Sequence, residues 1–221
     1  MSIKNVLVTG GTGGIGGAIV SRLSSDSGYR VVAPSRKELD LASETSIGQY
    51  FSASDRFDIV INNAGINLPE CIEDIVSDHI RESLSINLVA PLLIIRGCVP
   101  YMKQQGFGRI VNVSSIWGIR SKEKRTLYSA TKFGLNGITK SLARELGPYN
   151  ILVNSICPGY VKTRLTDQNV SPEEQEVIKR DIPLRRFAEP GEIAESIAFL
   201  VSEKNSYMTG QTLIVDGGFL A

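Results

Sequence analysis

A glycine-rich turn near the N-terminus restricts the fold of this chain more than any other feature of its sequence. The turn, Gly10–Gly17, follows a short apolar run at residues 3–9 and precedes an amphipathic segment at residues 18–23. Strand, glycine turn and helix in this order are typical of a unit that binds a dinucleotide, because glycines let a pyrophosphate approach the N–H groups at the helix start. The residues alone leave two spacings of the required glycines open: Gly10, Gly14 and Gly16, or Gly10, Gly13 and Gly16.

Apolar and amphipathic segments alternate along the rest of the chain. This alternation predicts a doubly wound, Rossmann-like α/β fold, with one parallel sheet, helices on both faces and a single domain over residues 1–221. After the first unit we expect strands at residues 30–33, 57–61, 109–113, 151–156 and 212–215. We expect helices at residues 72–105 (interrupted near Pro91), 127–146 and 193–201, and an irregular polar segment at residues 164–189.

Composition and charge argue against several classes of function. The chain of 221 residues has 24 basic and 23 acidic side chains, and its net charge of +1 predicts no nucleic-acid and no membrane partner. The sequence shows no signal region and no apolar run of about 18 residues, so we expect no membrane span. Three cysteines without close spacing predict reduced thiols in a cytoplasmic protein, and a single histidine predicts no metal site.

Four polar or glycine-rich clusters each directly follow a predicted strand. They are Gly10–Gly16, Asn62–Gly65, Ser114–Ser115 and Pro158–Gly159. Any one of them alone fits an ordinary turn. In a parallel sheet, however, the carboxyl ends of the strands meet at one edge, and ligands bind there. The four clusters together therefore predict a ligand site at this edge.

Tyr128 and Lys132 lie four positions apart in the predicted helix at residues 127–146. Positions with this spacing share a helix face, so we expect the phenol and the ammonium to lie side by side. A neighbouring cation favours the phenolate and lowers the pKa of a tyrosine toward working pH. A phenol tuned in this way can act as a general acid or base on a carbonyl or an alcohol. Taken alone, the pair favours an ordinary surface contact, and it gains meaning from the clusters upstream.

Taken together, these motifs resemble those of the short-chain dehydrogenase/reductase family in its single-domain form. The matching segments extend over nearly the whole chain: Thr9–Gly16, Asn62–Gly65, Asn87, Ser115, Tyr128–Lys132, Pro158–Thr163, Thr209–Gln211 and Asp216–Gly218. The resemblance implies an oxidoreductase that moves a hydride between a nicotinamide dinucleotide and a carbonyl or secondary alcohol. It also selects the spacing Gly10, Gly14 and Gly16, because the extended sugar-nucleotide epimerases and dehydratases are usually longer and lack this C-terminal ending.

The resemblance implies four catalytic residues, which are Asn87, Ser115, Tyr128 and Lys132. Tyr128 is expected to donate a proton in reduction and to accept it in oxidation. Lys132 is expected to lower the pKa of Tyr128 and to hydrogen-bond the nicotinamide ribose. Ser115 is expected to hold the substrate oxygen, and Asn87 to kink its helix and position a water that relays protons to Lys132.

The glycine turn and the resemblance together predict a larger set of cofactor-binding residues. The set comprises Gly10, Thr12, Gly13, Gly14, Ile15, Gly16, Ser35, Arg36, Asp40, Asn63, Ala64, Gly65, Tyr128, Lys132, Pro158, Gly159, Val161 and Thr163. Within it, Asn63–Gly65 is expected near the adenine ribose, Pro158–Thr163 at the nicotinamide, and Asp40 in place of the family's adenine-contacting aspartate. The segment from Arg36 to Asp58 looks short, as if the helix between the second and third strands were missing.

The end of the second predicted strand bears on the choice of cofactor. It reads Ala33-Pro34-Ser35-Arg36, with no acidic residue where NAD-selective folds bond the ribose 2′-hydroxyl. Ser35 can donate a hydrogen bond to a 2′-phosphate, and Arg36 can pair with it. We therefore expect NADP(H) as the favoured cofactor and keep NAD(H) as the alternative.

Within the family, our first functional hypothesis is reduction of a 3-oxoacyl thioester, as in the 3-oxoacyl-[acyl-carrier-protein] reductases. The alternative is a reductase or dehydrogenase of a sugar or a small ketone. A hypothesis of a different class is a catalytically silent dinucleotide-binding regulator, but such proteins usually lose the Tyr or the Lys that this chain keeps. The basic segment Arg120–Arg125 is either a solvated loop or a contact to an acidic substrate or a carrier phosphate.

Pocket shape and assembly are expected to depend on other segments. Residues 164–189 and 69–78 are expected to shape the substrate pocket. The helices around residues 83–99 and 127–146 carry more apolar side chains than one sheet face would cover, and family members form a four-helix interface with them. We therefore expect a homo-oligomer, either a dimer or a tetramer.

Overall fold

A six-stranded parallel sheet lies at the centre of the protein, and the computed structural model describes residues 3–53 and 56–221. The strands are β1 Lys4–Val8, β2 Tyr29–Val32, β3 Ile59–Asn62, β4 Gly108–Val113, β5 Ile151–Pro158 and β6 Thr212–Val215. Their order across the sheet is β2-β1-β3-β4-β5-β6, and every neighbouring pair is parallel. All carboxyl ends therefore lie at one edge, and the predicted Rossmann-like α/β fold is confirmed.

Helices cover both faces of this sheet. The described residues form α1 Gly14–Ser24, α2 Glu44–Ala53, α3 Ser77–Leu84, α4 Ala90–Gln105, α5 Thr126–Leu146, α6 Arg164–Asn169, α7 Pro172–Asp181 and α8 Pro190–Val201. Helices α1 and α8 contribute to the core on one face, and α2, α4 and α5 contribute to the core on the other. Side chains alternate along β1, so Val6 and Val8 join the first core and Leu7 joins the second.

The direction of winding changes between β1 and β3. Strand β2 lies on one side of β1, whereas β3 and all later strands lie on the other side. Such a switch leaves a crevice outside the carboxyl ends of the two central strands, which is where ligands bind in open α/β sheets. The segments Gly10–Gly16 and Asn63–Gly65 follow these two strands and border the crevice.

Residues 164–189 are not irregular, and this prediction was wrong. The segment contains α6 and α7, and each helix begins at a residue whose hydroxyl caps it. Ser171 forms a capping box with Glu174, and Thr163 accepts a hydrogen bond from the N–H of Thr166. Neither helix buries a residue completely, so apolar periodicity could not reveal them. The Ser-Pro-Glu-Glu start of α7 was the available signal.

The sequence suggested that the helix between the second and third strands is missing. This prediction was wrong, because α2 lies between β2 and β3. Ile47 of α2 is 2% exposed and joins the core under α4. Phe51 packs over Gly97 of α4, where an added Cβ would lie 2.6 Å from its ring. The short connection instead leaves β2 as the edge strand of the sheet.

The long helical region is continuous from Ser77 to Gln105, and its irregularity is a π-helical turn, Ser85–Val89. Pro91 stands in the first turn of α4, where its missing N–H is not needed, and it does not cause the interruption. An 18-residue window of this helix has a mean hydropathy of 1.6 and is 39% buried. By length and composition alone it could cross a membrane, although Asn87 and Arg96 interrupt its apolar residues. Core helices pass the same test, and α4 packs Ile94 and Met102 against the sheet.

Candidate active site

The four predicted clusters line one cavity at the carboxyl edge of the sheet. This cavity has a volume of about 550 Å³, and Tyr128 and Lys132 of α5 also line it. A second cavity of about 230 Å³ is lined by residues of the segment 34–41 and by Ile66. Gly10, Thr12 and Gly65 border both cavities, which therefore form one groove. We call its two parts the catalytic end and the adenosine end.

The glycine turn leaves room for a ligand against the start of α1. Gly10 has a φ of +67° and Gly14 a φ of +53°, a region that favours glycine. A Cβ on Gly16 would lie 2.0 Å from the carbonyl oxygen of Gly10, whereas Gly13 is extended and faces open space. The backbone thus requires glycine at 10, 14 and 16, the spacing that the resemblance selected. Within the described chain no side chain caps α1, so its N–H groups fit a pyrophosphate.

The loops after β1 and β3 are held together by two side chains. The hydroxyl oxygen of Thr9 accepts hydrogen bonds from the N–H groups of Asn63 at 3.0 Å and Ala64 at 3.1 Å. In return, the Asn63 amide donates to the carbonyl oxygens of Thr9 at 2.9 Å and Gly10 at 3.2 Å. Sequence reasoning did not include Thr9 among the site residues. Its role is to fix the floor of the groove where the two cavities meet.

Tyr128 stands beside Ser115 at the catalytic end. The side chain of Tyr128 is partly exposed to the cavity, and desolvation raises its pKa to about 12. The neighbouring Ser115 hydroxyl and then the charge of Arg125 act against this rise and lower the pKa of Tyr128. The phenol is therefore protonated at neutral pH and can donate a proton to a carbonyl oxygen. Arg125, one helical turn before Tyr128, is a neighbour that the sequence did not pair with it.

Lys132 is 3% exposed, and burial lowers its pKa to about 8. Its Nζ donates a hydrogen bond of 2.8 Å to the carbonyl oxygen of Val113 and lies 5.5 Å from the centre of the Tyr128 ring. The groups that lower the pKa of Tyr128 in this structure are Ser115 and Arg125, and the expected lowering by Lys132 stays a prediction. An ammonium has three N–H donors, so two remain that could bond a ribose.

Asn87 lies in the π-helical turn and is 1% exposed. Its Oδ1 accepts a hydrogen bond of 2.8 Å from the N–H of Ile66, and its Nδ2 donates one of 2.8 Å to the carbonyl of Ile66. A Cβ on Gly65 would lie 3.2 Å from Asn87 Oδ1 and 3.5 Å from Lys132 Nζ. Asn87 therefore holds the loop after β3 against the lysine, and its predicted water relay stays a prediction.

The segment after β5 closes the catalytic end. Pro158, Gly159, Val161 and Thr163 all line the larger cavity. A Cβ on Gly159 would lie 2.7 Å from the Cβ of Asp216, so the C-terminal segment packs directly against this loop. Thr163 faces the glycine turn, because a Cβ on Gly14 would lie 3.2 Å from its methyl group. This position suits the predicted contact to a pyrophosphate.

Comparisons with known proteins agree with this arrangement. The family described as enoyl-(acyl carrier protein) reductase matches residues 15–220. The 3-oxoacyl-[acyl-carrier-protein] reductase FabG of Aquifex aeolicus is 38% identical over 240 positions, which cover 97% of this chain and 96% of the relative. The chain belongs to the short-chain dehydrogenase/reductase family.

Two solved structures support this membership. 4-hydroxyisoleucine dehydrogenase complexed with NADH matches with a TM-score of 0.92 and 29% identity over 98% of both chains. The 3-ketoacyl-(acyl-carrier-protein) reductase of Brucella melitensis complexed with NADH matches with a TM-score of 0.90 and 28% identity over 100% of this chain and 99% of the other. The predicted family and enzyme class are confirmed: this short-chain dehydrogenase is an NAD(P)-dependent oxidoreductase that acts on CH–OH and C=O groups, and a ketoreductase.

At the adenosine end of this dehydrogenase, acidic side chains occupy both residues predicted to bind a 2′-phosphate. The N–H and the hydroxyl of Ser35 each donate a hydrogen bond of 2.8 Å to Glu38. These bonds hold the pKa of Glu38 below its ordinary value. Arg36 Nε lies 3.6 Å from Asp40 Oδ1. Glu38 was missed, although the Ser-x-x-Glu spacing was a signal for this contact.

Arg125 is the residue of the basic segment that the structure places in the catalytic end. It lines the larger cavity and is 6% exposed. Its Nη1 donates a hydrogen bond of 3.5 Å to Asn67 Oδ1, and its Nε has no hydrogen-bond partner among residues 3–53 and 56–221. Burial lowers its pKa, but a guanidinium stays charged in proteins.

Proposed function

We propose that this short-chain dehydrogenase reduces a ketone, with Tyr128 as the proton donor and Ser115 as the group that orients the carbonyl oxygen. The observation that carries the proposal is that Tyr128, Ser115 and Lys132 line one cavity, which continues into the glycine turn. When bound, the nicotinamide supplies the hydride for reduction or accepts it for oxidation. The chain's own residues supply position, charge and the proton.

The proton transfer follows from the surroundings of Tyr128. A substrate carbonyl that enters the cavity takes the Ser115 hydroxyl as a hydrogen-bond donor, and the phenol proton moves to the same oxygen. The phenolate left behind is stabilised by Ser115 and by the charge of Arg125, which both lower the pKa of Tyr128. In the direction of alcohol oxidation, the same phenolate accepts the alcohol proton.

We propose NADP(H) as the favoured cofactor and NAD(H) as the alternative. Lys132 has donors for the nicotinamide ribose, the glycine turn fits the pyrophosphate, and Ala64 and Gly65 border the adenosine end. Arg36 lines the adenosine end, and its side chain is 76% exposed and free to turn toward a phosphate. A 2′-phosphate would replace Glu38 as the acceptor for Ser35.

Two substrate classes follow from the relatives. The names of the Aquifex and Brucella reductases favour a 3-oxoacyl thioester on an acyl carrier, and the name of the 4-hydroxyisoleucine dehydrogenase favours a compact hydroxy compound. The buried cation Arg125 beside Tyr128 is the observation that favours the second class. We further propose that the 221 residues act as one domain of a cytoplasmic homo-oligomer, since Leu84, Leu92 and Phe133 leave α3, α4 and α5 with exposed apolar surface.

The test is oxidation of NADPH and NADH, followed by absorbance, with a 3-oxoacyl thioester and with compact ketones. We expect turnover with at least one class and faster turnover with NADPH. The Tyr128→Phe variant, assayed in parallel, separates turnover at this site from a contaminating activity. Cofactor binding without turnover in all combinations would contradict the proposal.

A further inference from the structure

Arg125 and its surroundings identify the kind of substrate that this site takes. We propose that Arg125 binds a carboxylate of the substrate, so that the preferred substrate is a compact oxo acid, or the corresponding hydroxy acid in the reverse direction. This inference rests on the proposed ketone reduction and deepens it. An oxo acid, and not an uncharged thioester, is then the better substrate.

The guanidinium of Arg125 is a buried charge with N–H donors that lack acceptors. A guanidinium has five N–H donors, and burying it without acceptors is costly. The described residues provide Arg125 with one side-chain acceptor, Asn67 Oδ1, at the long distance of 3.5 Å. They provide no ion pair, and its Nε is without a partner. A bound carboxylate would satisfy two of these donors at once through the planar fork.

The surroundings of Arg125 leave its charge uncompensated. Glu174 and Glu123 raise the pKa of Arg125 through their charges, but neither forms an ion pair with it within the part of the chain that the structure describes. Tyr160 and Tyr128 also act on Arg125, and both phenols are neutral at pH 7 because desolvation raises their pKa. An anionic ligand in the cavity would therefore be the group that balances this charge.

The position of Arg125 separates it from the cofactor side of Tyr128. Arg125 is the N-cap residue of α5, three positions before Tyr128, and Lys132 follows Tyr128 by four positions on that helix. Lys132 lies toward Gly65 and Val113, whereas Arg125 bonds Asn67 and interacts with Tyr160. Arg125 and Tyr128 line the same cavity, and the charge of Arg125 acts on the Tyr128 phenol, so one compact substrate could place its carboxylate at Arg125 and its keto oxygen at Tyr128.

A carrier phosphate fits this position less well than a carboxylate of the substrate does. In a carrier-bound substrate the phosphate lies at the far end of the pantetheine arm, many bonds from the keto carbon. Arg125 is 6% exposed and lies beside Tyr128, inside the cavity. The exposed Arg120 and Lys124 of the same segment are better placed for a phosphate outside.

Aromatic side chains enclose the proposed carboxylate site. The Trp117 and Tyr160 rings meet edge to face at 6.2 Å, and Phe187 stacks on Tyr160 at 5.2 Å. Trp117 and Tyr160 also line the cavity. A low-dielectric wall strengthens an ion pair formed against it, so the guanidinium discriminates between a carboxylate and a neutral ester.

The reaction leaves the carboxylate unchanged. A hydride adds to the keto carbon, the carbon–oxygen π electrons form the new O–H bond with the Tyr128 proton, and the reduced nicotinamide is oxidised. Arg125 holds the carboxylate throughout and exchanges no proton. Arg125 contributes by orienting the keto carbon through the carboxylate. The effect of removing Arg125 on the rate should therefore depend on whether the substrate carries a carboxylate.

Paired substrates and a matched variant test the proposal. The substrates are 3-oxobutanoate and 4-oxopentanoate, each compared with its methyl ester, in the wild type, Arg125→Met and Arg120→Met. Arg125→Met should lower the ratio of kcat/KM for acid to kcat/KM for ester by about 10- to 100-fold, the loss of a charge-assisted contact. Arg120→Met removes the same charge from an exposed position and should leave the ratio unchanged.

The ratio separates recognition from other effects of the same change. A change in the Tyr128 pKa or in folding alters acid and ester alike, whereas a lost carboxylate contact alters the acid alone. Arg125→Lys keeps the charge without the fork and should recover part of the ratio. Esters or thioesters that outperform the acids in the wild type, or a ratio unchanged in Arg125→Met, would overturn the inference while leaving ketone reduction in place.

A binding measurement tests the site without turnover. Succinate, titrated calorimetrically into the protein saturated with NADPH, should bind to the wild type and to Arg120→Met, and at least about 10-fold more weakly to Arg125→Met. Dimethyl succinate should not show this difference. If no ketone is reduced by the wild type, the proposed function fails, and succinate binding still decides whether Arg125 holds a carboxylate. Equal succinate affinities in all three proteins would refute the assignment.

Discussion

At the catalytic end of the groove, Lys132 and Asn87 are 3% and 1% exposed, and they bond the backbone of Val113 and Ile66. At the adenosine end, the Arg36 side chain is 76% exposed and pairs with Asp40, four residues away. The first set of groups is fixed by strands and loops distant in sequence. The second set is held by side chains of its own turn.

This difference indicates two ways of preparing a site. Buried groups with backbone partners keep one geometry before the ligand arrives, which suits a step that depends on the position of a proton. Exposed groups with local partners must exchange these partners for the ligand. Their contribution to the binding free energy is therefore the difference between the new contact to the ligand and the old contact to the partner. Substitutions should therefore have large, specific effects at the catalytic end and smaller, salt-dependent effects at the adenosine end.

The largest effect is expected for Tyr128→Phe. The variant keeps the ring and removes the hydroxyl that donates the proton, so kcat should fall by about 10²- to 10⁴-fold. Cofactor affinity should change little. Steady-state kinetics and a nucleotide titration on the same preparation measure both quantities. Tyr207→Phe is the matched control, because Tyr207 is 95% exposed and far from any role in the cavity. A kcat within about twofold of the wild type would rule out Tyr128 as the donor.

The next effect concerns Lys132 and pH. Burial lowers the pKa of Lys132 to about 8, against about 10.4 in an unfolded chain. Between these values the unfolded chain binds more protons, so the contribution of Lys132 to the free energy of unfolding rises with pH. Relative to Lys132→Met, the wild type should gain about 3 kcal/mol between pH 7.5 and 10.5. Urea unfolding at several pH values measures this difference.

The control for this experiment is Lys140→Met, which changes an exposed lysine of the same helix and should give a constant difference from the wild type. If the difference in free energy of unfolding between the wild type and Lys132→Met also stays constant with pH, the pKa of Lys132 is not lowered by burial as the structure indicates. Lys132→Met is also expected to lose both rate and cofactor affinity. A loss of rate alone would contradict the proposed contact to the ribose.

The parts of the fold that were predicted are those set by local pattern. The spacing of Gly10, Gly14 and Gly16 fixes positive φ angles and one close approach, and the strands after it follow from runs of apolar residues. The helices α6 and α7 were missed because they bury no residue completely, so hydrophobic periodicity gave no signal. Capping residues were the remaining clue, and a wider search for them would have found α7.

The parts of the site that were not predicted depend on tertiary contacts. Arg125 looked like one of several surface cations, and only its contact with Asn67, which is 58 positions away, shows that it is buried in the cavity. The bond from Lys132 to Val113 likewise spans 19 positions and fixes the ammonium against the backbone of β4. Helical spacing correctly placed Tyr128 and Lys132 near each other but could not give the partners of these side chains or of Arg125.

A moderate effect is expected for Arg36→Ala. If Arg36 leaves Asp40 and pairs with a 2′-phosphate, its loss should weaken NADPH binding by about 1.5–3 kcal/mol and leave NADH nearly unchanged. Titration of both nucleotides at low salt measures the difference. Lys37→Ala is the control, since it removes an equally exposed charge from the next position. Tighter binding of NADH than of NADPH by the wild type would show that this end of the groove selects NAD(H).

The smallest effect is expected for Glu38→Gln, and it has the opposite sign. Glu38 accepts both hydrogen bonds of Ser35 at 2.8 Å, and these bonds hold the pKa of Glu38 low. A 2′-phosphate therefore competes with the Glu38 carboxylate for the donors of Ser35. Glutamine keeps the shape and one acceptor oxygen without the charge. NADPH should therefore bind more tightly and NADH as before, with a gain that fades at high salt because the site is exposed. Glu44→Gln changes an exposed acid at the start of α2 and should leave the affinities for NADPH and NADH unchanged. An equal gain for both nucleotides would mean that Glu38 shapes the turn, and no gain would mean that the phosphate never reaches Ser35.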